Sequence, residues 1–546
     1  MHKVFVIGLD GVGFPLIDPW IKDGKLPHLA ELLARGVYGP LRSTIPPLTG
    51  PAWSTFQTGV NPGKHGVSSW TKRQNGSYDI SVVSGDDILY PTIWELASEH
   101  GRRVVSIGLP LSYPPRKVNG VIIPGMLTPE SDPAPTTPPE AFAELHRIVP
   151  DYHFSPECAQ RFTIKGKTKT LLASVKGRAE AAKHFLRETD WDLAMLHFQA
   201  TDKVQHDLWG IKRNGFDPLL TVFQEVDRQI GELLDIVQTR KASVILLSDH
   251  GMGPLEYTFS INTWLLRSGY LQLKRRFSTR FKHIAFRLGF TQKHLTGLGL
   301  LLYPLAYKLG LVNSFFDTVG KGWLARAISI LFLSLDDIDW SRTRAYSHAD
   351  IGHIRLNRRG REPEGIVSAT EAEALISELM EQLQAIVNPY TDEPLLGQAY
   401  PSKEIYHGEQ LSQAPDVLFL PLDLRTVGSG SSGFYSNKLF DRPLLRANHR
   451  MQGIISASGE PFRPHYEMQG ARLVDLAANI LYLLDCPIPT YMDGTLWKEA
   501  FTSETLASQP PRYSEQKPAE DVEEKVRDLE QEEELQRRLK GLGYLN

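Results

Sequence analysis

At residues 244–251 the sequence reads VILLSDHG, an uninterrupted apolar run that stops at Asp249 and His250. A short apolar run bounded by turn residues is typical of a strand that is buried on both faces of a sheet. An acid and a histidine at the end of such a strand are costly to bury unless they pair or coordinate a cation. We therefore predict a buried strand at Ser243–Leu247 and metal-ligating roles for Asp249 and His250.

Similar runs recur along the chain. Apolar or β-branched segments predict further buried strands at Val4–Leu9, Arg103–Gly108, Leu193–Phe198, Val417–Leu420 and Ile454–Ser456. Helical patterns lie between them, as at Thr170–Arg187 and Leu219–Thr239. Strands that alternate with helices predict an α/β fold, with a central, mostly parallel sheet that is flanked by helices on both faces.

Asp10 follows the first predicted strand, within GLDGVG at 8–13. These glycines do not complete a dinucleotide-binding pattern. A pyrophosphate at this point would need bare N–H groups, whereas a carboxylate at a strand end suits a cation. Taken alone, Asp10 is compatible with a loop-capping role as well as with a metal-binding role.

Two further segments contain histidine. Asp202 and His206 follow the strand Leu193–Phe198 and are four residues apart, so one helical turn places both on the same face. An Asp–His pair at this spacing can bind zinc, and a surface contact between the two is the alternative. His449 precedes the strand at Ile454–Ser456 and, taken alone, could equally be an ordinary loop histidine.

Thr49 lies in PPLTGPAWSTF at 46–56, just before a helix that we predict to begin near Pro51. The position suits a helix N-cap, in which the threonine side chain accepts a backbone N–H bond. The same geometry presents a hydroxyl beside free N–H groups, which suits attack on a phosphoryl centre. Taken alone, the segment favours the N-cap.

Considered together, these segments indicate a metal site. Ligand side chains follow three of the predicted strands: Asp10, Asp202, His206, Asp249 and His250. Open α/β sheets bind ligands along the edge formed by the carboxyl ends of their strands. With His449 the set supplies six oxygen and nitrogen ligands, three for each of two ions, with positions left for water or substrate. Because no thiolate is present, zinc or manganese is expected.

In order and in wording these segments resemble the type I phosphodiesterase/nucleotide pyrophosphatase branch of the alkaline-phosphatase superfamily. The resemblance runs over Asp10, the Thr49 segment, TDKVQH at 201–206, SDHGMG at 248–253 and NHR at 448–450. Further similarities are NPGKHG at 61–66 and LDDIDW at 335–340. The segment 475–494 resembles the closing helix of the family.

The resemblance implies an alkaline-phosphatase-like fold and a metal-dependent hydrolase of phosphodiester or pyrophosphate bonds. The implied substrate is a phosphate ester or a nucleotide-like small molecule. The resemblance also implies that Thr49 lies between two divalent ions, most simply zinc with manganese as the alternative, and is the nucleophile that becomes phosphorylated. Carried over by position, one ion belongs to Asp202, His206 and His449, and the other to Asp10, Asp249 and His250.

One departure from the family concerns the phosphoryl oxygens. In the nucleotide pyrophosphatases an asparagine follows the PxxHG segment and helps to hold these oxygens. Here PGKHG at 62–66 is followed by VSSW at 67–70, which contains no asparagine. The backbone N–H of Gly50 and the side chain of Lys203 are the candidates for binding these oxygens. Lys203 could instead be an ordinary helix residue whose side chain is solvated.

Composition suggests four parts of the chain. We expect a catalytic α/β core at 1–265 and 336–500, a mainly helical insertion at 266–335, and a polar, partly helical tail at 501–546. The insertion is first basic and then apolar, and its apolar stretch near 298–305 is too short for a membrane span. We expect it to form a cap on the metal-bearing edge. A structural subdomain and a membrane-docking surface are the alternatives.

Bulk properties exclude some classes of protein. A formal net charge of −3 gives no general attraction to nucleic acid or to an anionic membrane, so specific nucleic-acid binding is not expected. Cys158 and Cys486 are too far apart in sequence to indicate a disulfide framework or a thiolate metal site. The first predicted strand begins at once, without a secretory signal, so we expect a cytoplasmic protein without a transmembrane segment.

Three other functions stay open at this point. The same scaffold could act as a phosphomonoesterase or a phosphomutase, while a sulfatase is disfavoured because Thr49 stands where that class has an oxidised cysteine. The metal sites could be retained in a non-catalytic binding protein. The insertion could instead make the chain a peripheral membrane protein.

Overall fold

The computed structural model describes residues 2–74, 76–156, 163–291, 293, 331–348, 351–430, 434–443, 445–515, 534–536 and 539. Its strands are β1 Val4–Leu9, β2 Val37–Arg42, β3 Thr71–Arg73, β4 Ile80–Val82, β5 Val104–Ile107, β6 Gly120–Ile123, β7 Leu193–Phe198, β8 Ser243–Leu247, β9 Gly251–Pro254, β10 Tyr257–Ser260, β11 Ala345–Tyr346, β12 His353–Leu356, β13 Leu396–Pro401, β14 Val417–Pro421, β15 Thr426–Ser429, β16 Phe440–Asp441, β17 Ala447–Arg450, β18 Gln452–Ser458, β19 Tyr466–Glu467, β20 Ala471–Arg472, β21 Ile488–Pro489 and β22 Tyr513–Ser514. Its helices are α1 Phe14–Lys22, α2 Pro27–Arg35, α3 Thr49–Thr58, α4 Pro62–His65, α5 Ile93–Glu99, α6 Glu140–Ile148, α7 Ile164–Glu188, α8 Ala200–Leu208, α9 Pro218–Thr239, α10 Ile261–Arg267, α11 Phe277–Arg287, α12 Ala369–Gln384, α13 Ser402–Ile405, α14 Leu476–Leu483 and α15 Ser503–Ser508.

The main sheet has nine strands in the order β19-β2-β18-β8-β1-β7-β5-β6, with β20 also paired to β2. The strands from β8 to β6 are parallel to one another, whereas β18 is antiparallel to both of its neighbours. The prediction of a central, mostly parallel sheet is therefore confirmed. Strand β1 lies between β7 and β8, so the three strands that precede the predicted ligands are adjacent.

Helices cover both faces of this sheet. Along β1 the side chains alternate: Phe5, Ile7 and Leu9 enter one core together with helices α1, α2, α7, α8 and α9. Val4 and Val6 enter a second core on the opposite face, which also contains residues of α3, α5 and α14. Burial on both faces is the physical reason why these strands are continuous apolar runs.

A smaller unit follows the main sheet. Its four-stranded sheet has the order β11-β12-β14-β13, and a three-stranded sheet has the order β15-β10-β16. A third hydrophobic core joins them with α10 and α12. The predicted strand at Val417–Leu420 belongs here and not to the main sheet, because β14 pairs in antiparallel fashion with β12 and β13.

The predicted insertion lies only partly within the described residues. Its basic first part contains helix α11. Residue 292, residues 294–330 and therefore the apolar stretch near 298–305 lie outside the described part of the chain, so the cap and the four-part division stay predictions. In the part that is described, no helix combines the length and the apolar character that a membrane crossing requires.

The C-terminal tail contacts the body at the described positions near its end, 534–536 and 539. Leu535 and Leu539 are buried in a small core together with Val67 and Trp70. The side chain of Glu534 accepts a hydrogen bond from Ser131 Oγ at 2.8 Å. Residues 540–546 lie outside the described part of the chain.

Candidate metal centre and nucleophile

The predicted ligands meet because their strands are neighbours in the main sheet. Asp10 directly follows β1, and Asp249 and His250 lie just after the end of β8. Asp202 and His206 lie on α8, which begins two residues after β7, and they share one face of that helix as predicted. All five side chains are at most 3% exposed. The carboxyl-end edge of a parallel sheet thus concentrates acids and imidazoles in the interior.

His449 reaches this edge through a different pairing. It lies on β17, which pairs in antiparallel fashion with β9, so that His449 is opposite Met252 and Arg450 is opposite Gly251. The imidazole rings of His449 and His250 are stacked, with centroids 3.7 Å apart and an angle of 20° between their planes. The hairpin of β9 and β17 therefore carries His449 to the site from a position about 200 residues further along the chain.

Backbone carbonyls fix the orientation of the three imidazoles. The Nδ1 of His206 donates to Ala447 O at 2.8 Å, that of His449 to Pro47 O at 2.7 Å, and that of His250 to Gly251 O at 3.0 Å. Since a carbonyl can only accept, each neutral ring carries its hydrogen on Nδ1 and leaves a lone pair on Nε2. Histidines that bind metal ions commonly donate their other ring N–H to a backbone carbonyl in this way.

The first group of ligand atoms consists of Asp202, His206 and His449, whose atoms all lie within 4.8 Å of one another. Asp202 Oδ1 is 3.3 Å from His206 Nε2 and 3.5 Å from His449 Nε2. The two Nε2 atoms are 3.0 Å apart. Two imidazole lone pairs at this distance repel each other unless a proton or a cation lies between them, so the geometry fits a metal ion.

The second group is centred on His250 Nε2, which is 3.6 Å from Asp10 Oδ1 and 3.2 Å from Asp249 Oδ2. Asp202 is close enough to join it, because ligand atoms of Asp10, Asp202 and His250 also lie within 4.8 Å of one another. Asp249 is held from the other side, since its Oδ1 accepts the N–H of Gly11 at 3.2 Å. The two groups are therefore contiguous, with Asp202 between them.

The carboxylate oxygens of the second group test whether a cation fits. Among the described residues, no donor reaches Asp10 Oδ1 or Asp249 Oδ2, although both atoms are buried. Buried polar atoms rarely lack a partner, because an unsatisfied oxygen in the interior is costly. His250 Nε2 lies 3.6 Å from Asp10 Oδ1 and 3.2 Å from Asp249 Oδ2, but it has no hydrogen to donate because the ring carries its hydrogen on Nδ1. Oxygen and nitrogen ligands without thiolate suit zinc or manganese, so these residues fit a divalent ion.

Burial and charge shift the protonation of these groups. Burial raises the pKa of the Asp10 carboxyl well above its usual range, and the charges of Asp249 and Asp202 act in the same direction. Burial also raises the pKa of Asp249 and lowers the pKa of His250 well below its usual range. Burial alone would raise the pKa of Asp202 too, but the His206 imidazole holds it well below its usual range. Cations would therefore displace protons as they bind.

Thr49 lies against the second group. Its Oγ1 is 3.2 Å from His250 Nε2, and because that nitrogen is an acceptor, the hydroxyl donates to it. Helix α3 begins at Thr49 itself, with Leu48 at the N-cap position, and the threonine side chain makes no capping bond. The predicted N-cap role is thus wrong: the helix starts two residues earlier than Pro51, which turns the hydroxyl towards the imidazole.

The two predicted substrate-binding groups differ in their surroundings. Gly50 lies in the first turn of α3, where a backbone N–H has no intrahelical partner, and a side chain here would press on the ring of Trp70. Lys203 is 3% exposed, so a solvated side chain is excluded. Its Nζ lies 3.2 Å from Asp207 Oδ1, an acid that also pairs with Lys167 at 3.1 Å.

His197, which is completely buried on β7, was not among the predicted site residues. Its Nε2 is 3.1 Å from Asp10 Oδ2, and its Nδ1 donates to Gly108 O at 3.0 Å. The ring also packs edge-on against Trp53, with centroids 4.7 Å apart. A histidine inside an otherwise apolar strand was the available signal, because an interior strand position tolerates a polar group only with partners.

Arg178 of α7 lies behind His197 and is also buried. Its Nη1 donates to Gly108 O at 3.0 Å and to His197 O at 2.9 Å, and its Nη2 donates to Phe154 O at 2.6 Å. A side chain at Gly108 would collide with this guanidinium. The arginine therefore fixes the backbone on which His197 rests and adds a positive charge behind the acidic site.

The NPGKHG segment at 61–66 has a structural role in what is described. Asn61 caps α4 by accepting the N–H of Gly63 at 2.8 Å, and its own N–H donates to Asp493 at 2.8 Å. Lys64 Nζ also lies 2.6 Å from Asp493. His65 Nε2 lies 3.0 Å from Thr55 Oγ1, which ties α4 to the helix that begins with Thr49.

The sequence matches the family described as type I phosphodiesterase/nucleotide pyrophosphatase over residues 4–296. That range contains Thr49 and five of the six predicted ligands, all but His449. No protein with a curated functional description matches the sequence.

Solved structures extend the similarity to most of the chain. Phosphonoacetate hydrolase from Sinorhizobium meliloti 1021, in complex with phosphonoformate, superposes with a TM-score of 0.53 at 15% identity, covering 89% of this chain and 96% of that one. Murine ectonucleotide pyrophosphatase/phosphodiesterase 5 gives a TM-score of 0.48 at 14% identity, covering 92% and 100%. At such identity the similarity to the hydrolase establishes the fold, which is that of alkaline-phosphatase-like enzymes.

Proposed function

Because the chain belongs to the type I phosphodiesterase/nucleotide pyrophosphatase family, we propose that it hydrolyses phosphodiester or pyrophosphate bonds with two divalent ions and with Thr49 as nucleophile. The family supports phosphoester hydrolysis in general. Our proposal adds three points to this: the enzyme requires divalent metal ions, it forms a covalent intermediate, and it prefers diesters to monoesters. The observation that supports it most is the convergence of three imidazole Nε2 atoms and three carboxylates at one sheet edge, with Thr49 Oγ1 3.2 Å from one of them, His250 Nε2.

One ion would be held by Asp202, His206 and His449, and the other by Asp10, Asp249 and His250. Divalent ions at this position would lower the pKa of a coordinated hydroxyl and compensate the charge of the phosphoryl group. Zinc is the first choice for a set of imidazoles and carboxylates, with manganese as the alternative. The fixed Nδ1–H bonds to carbonyl oxygens orient these imidazoles in advance, so little reorganisation is needed when an ion binds.

Thr49 would supply the attacking oxygen. A bond forms between Thr49 Oγ1 and phosphorus as the bond to the leaving oxygen breaks, and the hydroxyl proton is released. Water then attacks the phosphothreonine, which yields the second product and restores the hydroxyl. Phosphoryl transfer of this kind needs mainly positioning and charge compensation. The start of α3 at Thr49 supports this role, because the hydroxyl points at His250 and not at the helix backbone.

The phosphoryl oxygens need hydrogen-bond donors that the missing asparagine would supply in the nucleotide pyrophosphatases. The N–H of Gly50 adjoins the nucleophile in the first turn of α3, where the helix dipole favours negative charge. Lys203 is the weaker candidate, since its charge is already compensated by Asp207. We therefore propose Gly50 as the principal donor.

A turnover screen with metal reconstitution tests the function. The protein would be stripped with a chelator, reloaded with zinc or manganese, and assayed with bis(p-nitrophenyl) phosphate, p-nitrophenyl phosphate and a dinucleoside pyrophosphate. We expect turnover only after reloading and a higher kcat/KM for the diester than for the monoester. A clear preference for the monoester would favour a phosphomonoesterase or phosphomutase, and metal-loaded protein without any turnover would favour a binding protein.

A further inference from the structure

Helix α11 presents large apolar side chains to solvent. Four of them, at intervals of four, three and four residues, are between 56% and 87% exposed: Phe277, Phe281, Ile284 and Leu288. This spacing places all four on one face of the helix. Large contiguous apolar patches on a protein surface commonly mark an interaction site. We call these four residues the outer stripe.

The opposite face of α11 fixes the direction in which the outer stripe points. Thr279, Lys282 and Phe286 are buried. Thr279 Oγ1 donates to Asp337 Oδ1 at 2.8 Å, and Lys282 Nζ lies 3.0 Å from Asp337 Oδ2. Phe286 belongs to the third hydrophobic core, where the centroid of its ring is 5.8 Å from that of Phe434. Turning the outer stripe inwards would separate a buried ion pair, which is costly, so the helix keeps these apolar side chains outside.

The segment around α11 is strongly basic. Residues 268–293 contain seven lysines and arginines and no acidic residue, although the whole chain has a formal net charge of −3. Arg280 and Arg287 are exposed, and among the residues that the structure describes neither has an acidic partner at ion-pair distance. The helical repeat places both arginines on the same flank of the outer stripe. An apolar surface and uncompensated positive charge therefore lie side by side.

Charge distinguishes between the surfaces that could cover the outer stripe. A second copy of this chain would bring the same two arginines to the interface without any acid to compensate them. Residues 294–330 of the chain are largely apolar, but they contain three lysines and arginines against one acid, Asp317, so their sequence does not supply the missing negative charge. A membrane surface with anionic lipids supplies hydrocarbon for the stripe and negative charge for the arginines.

We propose that α11 docks this protein on an anionic membrane surface. The outer stripe would lie at the boundary between the lipid headgroups and the acyl chains, with Arg280 and Arg287 at the level of the lipid phosphates. Helices that lie in the plane of a membrane have this composition, with phenylalanine and leucine on one face and basic side chains beside them. The proposal goes beyond hydrolysis at Thr49, because it concerns where the protein binds and not which bond it cleaves.

Vesicle flotation with the full-length, metal-loaded protein tests the proposal. One vesicle preparation contains phosphatidylcholine with phosphatidylserine, and the other contains phosphatidylcholine alone. The first variant, Phe281→Ser with Leu288→Ser, removes half of the outer stripe. The second, Arg280→Gln with Arg287→Gln, removes the charge beside it. All four side chains are exposed, so the substitutions should leave the fold intact.

The matched controls make the same kinds of change at exposed positions outside residues 268–293. Val387→Ser with Leu422→Ser removes two exposed apolar side chains, and Arg187→Gln with Arg359→Gln removes two exposed charges. Circular dichroism and thermal unfolding check that each variant is folded. Sedimentation velocity without vesicles measures the oligomeric state of each protein.

We expect the wild type to bind the vesicles that contain phosphatidylserine, to bind phosphatidylcholine alone roughly tenfold more weakly or less, and to lose affinity as salt is added. Each α11 variant should bind the phosphatidylserine vesicles roughly tenfold more weakly or less, because it lacks two basic groups or two apolar side chains. Both controls should bind as the wild type does, and all the proteins should sediment alike.

Several results would overturn the proposal while leaving the proposed hydrolase intact. They are a wild type that binds neither vesicle preparation or binds both equally, and binding that is unchanged in both α11 variants or equally reduced in the controls. Self-association of the wild type that is lost in the α11 variants would assign the outer stripe to a second copy. A lower unfolding temperature of Phe281→Ser with Leu288→Ser, without any vesicle binding by the wild type, would assign it to residues 294–330.

Discussion

The contact between His197 and Asp10 leads to a prediction about metal affinity. Replacing His197 by Phe removes the imidazole whose Nε2 lies 3.1 Å from Asp10 Oδ2 in a fully buried environment. Because Nδ1 donates to Gly108 O, this Nε2 accepts the proton of the Asp10 carboxyl, whose pKa burial raises. The phenyl ring keeps the edge-on packing against Trp53. The carbonyl of Gly108 keeps a donor, because Arg178 Nη1 still reaches it at 3.0 Å. The substitution therefore acts mainly on the orientation of one ligand carboxylate.

The magnitude follows from this geometry. Loss of a side chain that positions a metal ligand typically weakens metal binding about 10-fold to 100-fold. That range corresponds to about 1.4–2.8 kcal/mol of binding free energy. The free energy of unfolding should fall by about 1–3 kcal/mol, because Asp10 Oδ2 loses its buried partner. We expect the ion held by Asp10 to be lost first and the ion held by Asp202 to be retained.

Metal affinity would be measured by competition with a chromophoric zinc chelator, with bound metal counted by elemental analysis after dialysis. The matched control is His348→Phe, since His348 is also buried and does not belong to either ligand group. It should bind both ions as tightly as the wild type does. A folded His197→Phe protein that holds two ions with wild-type affinity would refute the positioning role of His197.

Three further predictions concern the nucleophile, the ligands and the insertion, and a fourth concerns acid stability. Thr49→Ala should lose turnover but keep its metals, and Thr49→Ser should keep part of the turnover. Rapid quench of the wild type should trap phosphate on Thr49. Normal turnover of the alanine variant would instead indicate direct attack by water. Asp249→Ala should lose a metal, measured by elemental analysis, and nearly all activity, and full activity without metal would contradict the site. Neutralising the basic residues 274–276 should raise KM for anionic substrates at low salt and less so at high salt, whereas unchanged kinetics at low salt would leave a structural role. Burial, with the nearby charges of arginines, lowers the pKa of His348 to about 3. Because His348 takes up a proton near pH 6.5 in the unfolded chain, the free energy of unfolding should fall as the pH drops from 6.5 towards 3, by up to about 1.4 kcal/mol per pH unit. Urea unfolding of His348→Phe should show a shallower fall over the same pH range.

Local patterns were sufficient to predict the strands and to place most of the candidate ligands at one edge of the sheet. The strands at Val4–Leu9, Leu193–Phe198 and Ser243–Leu247 have the predicted limits, because a strand buried on both faces must be a continuous apolar run. The spacing of Asp202 and His206 fixes their common face through the helical repeat. Acids and histidines at strand ends share one edge once the strands are parallel. These features depend on residues that are close together in sequence.

Other features depend on contacts between distant segments. The sequence could not place His449, because its position follows from the pairing of β17 with β9 across about 200 residues. It could not assign Val417–Leu420 to a second sheet, because an apolar run does not specify its partner strands. It placed the start of α3 at Pro51, whereas the helix begins at Thr49, whose hydroxyl is engaged by His250.

His197 shows most clearly what each level decides. Its place in the strand LAMLHF at 193–198 is set by sequence, but a lone histidine in an apolar run does not reveal its partners. Only the tertiary structure brings it to Asp10 on the neighbouring strand β1, with Arg178 behind it. Local sequence determines which side chains are buried at the sheet edge, since burial follows from apolar periodicity. Which of them touch is decided by strand order and helix packing, which are long-range properties of the folded chain.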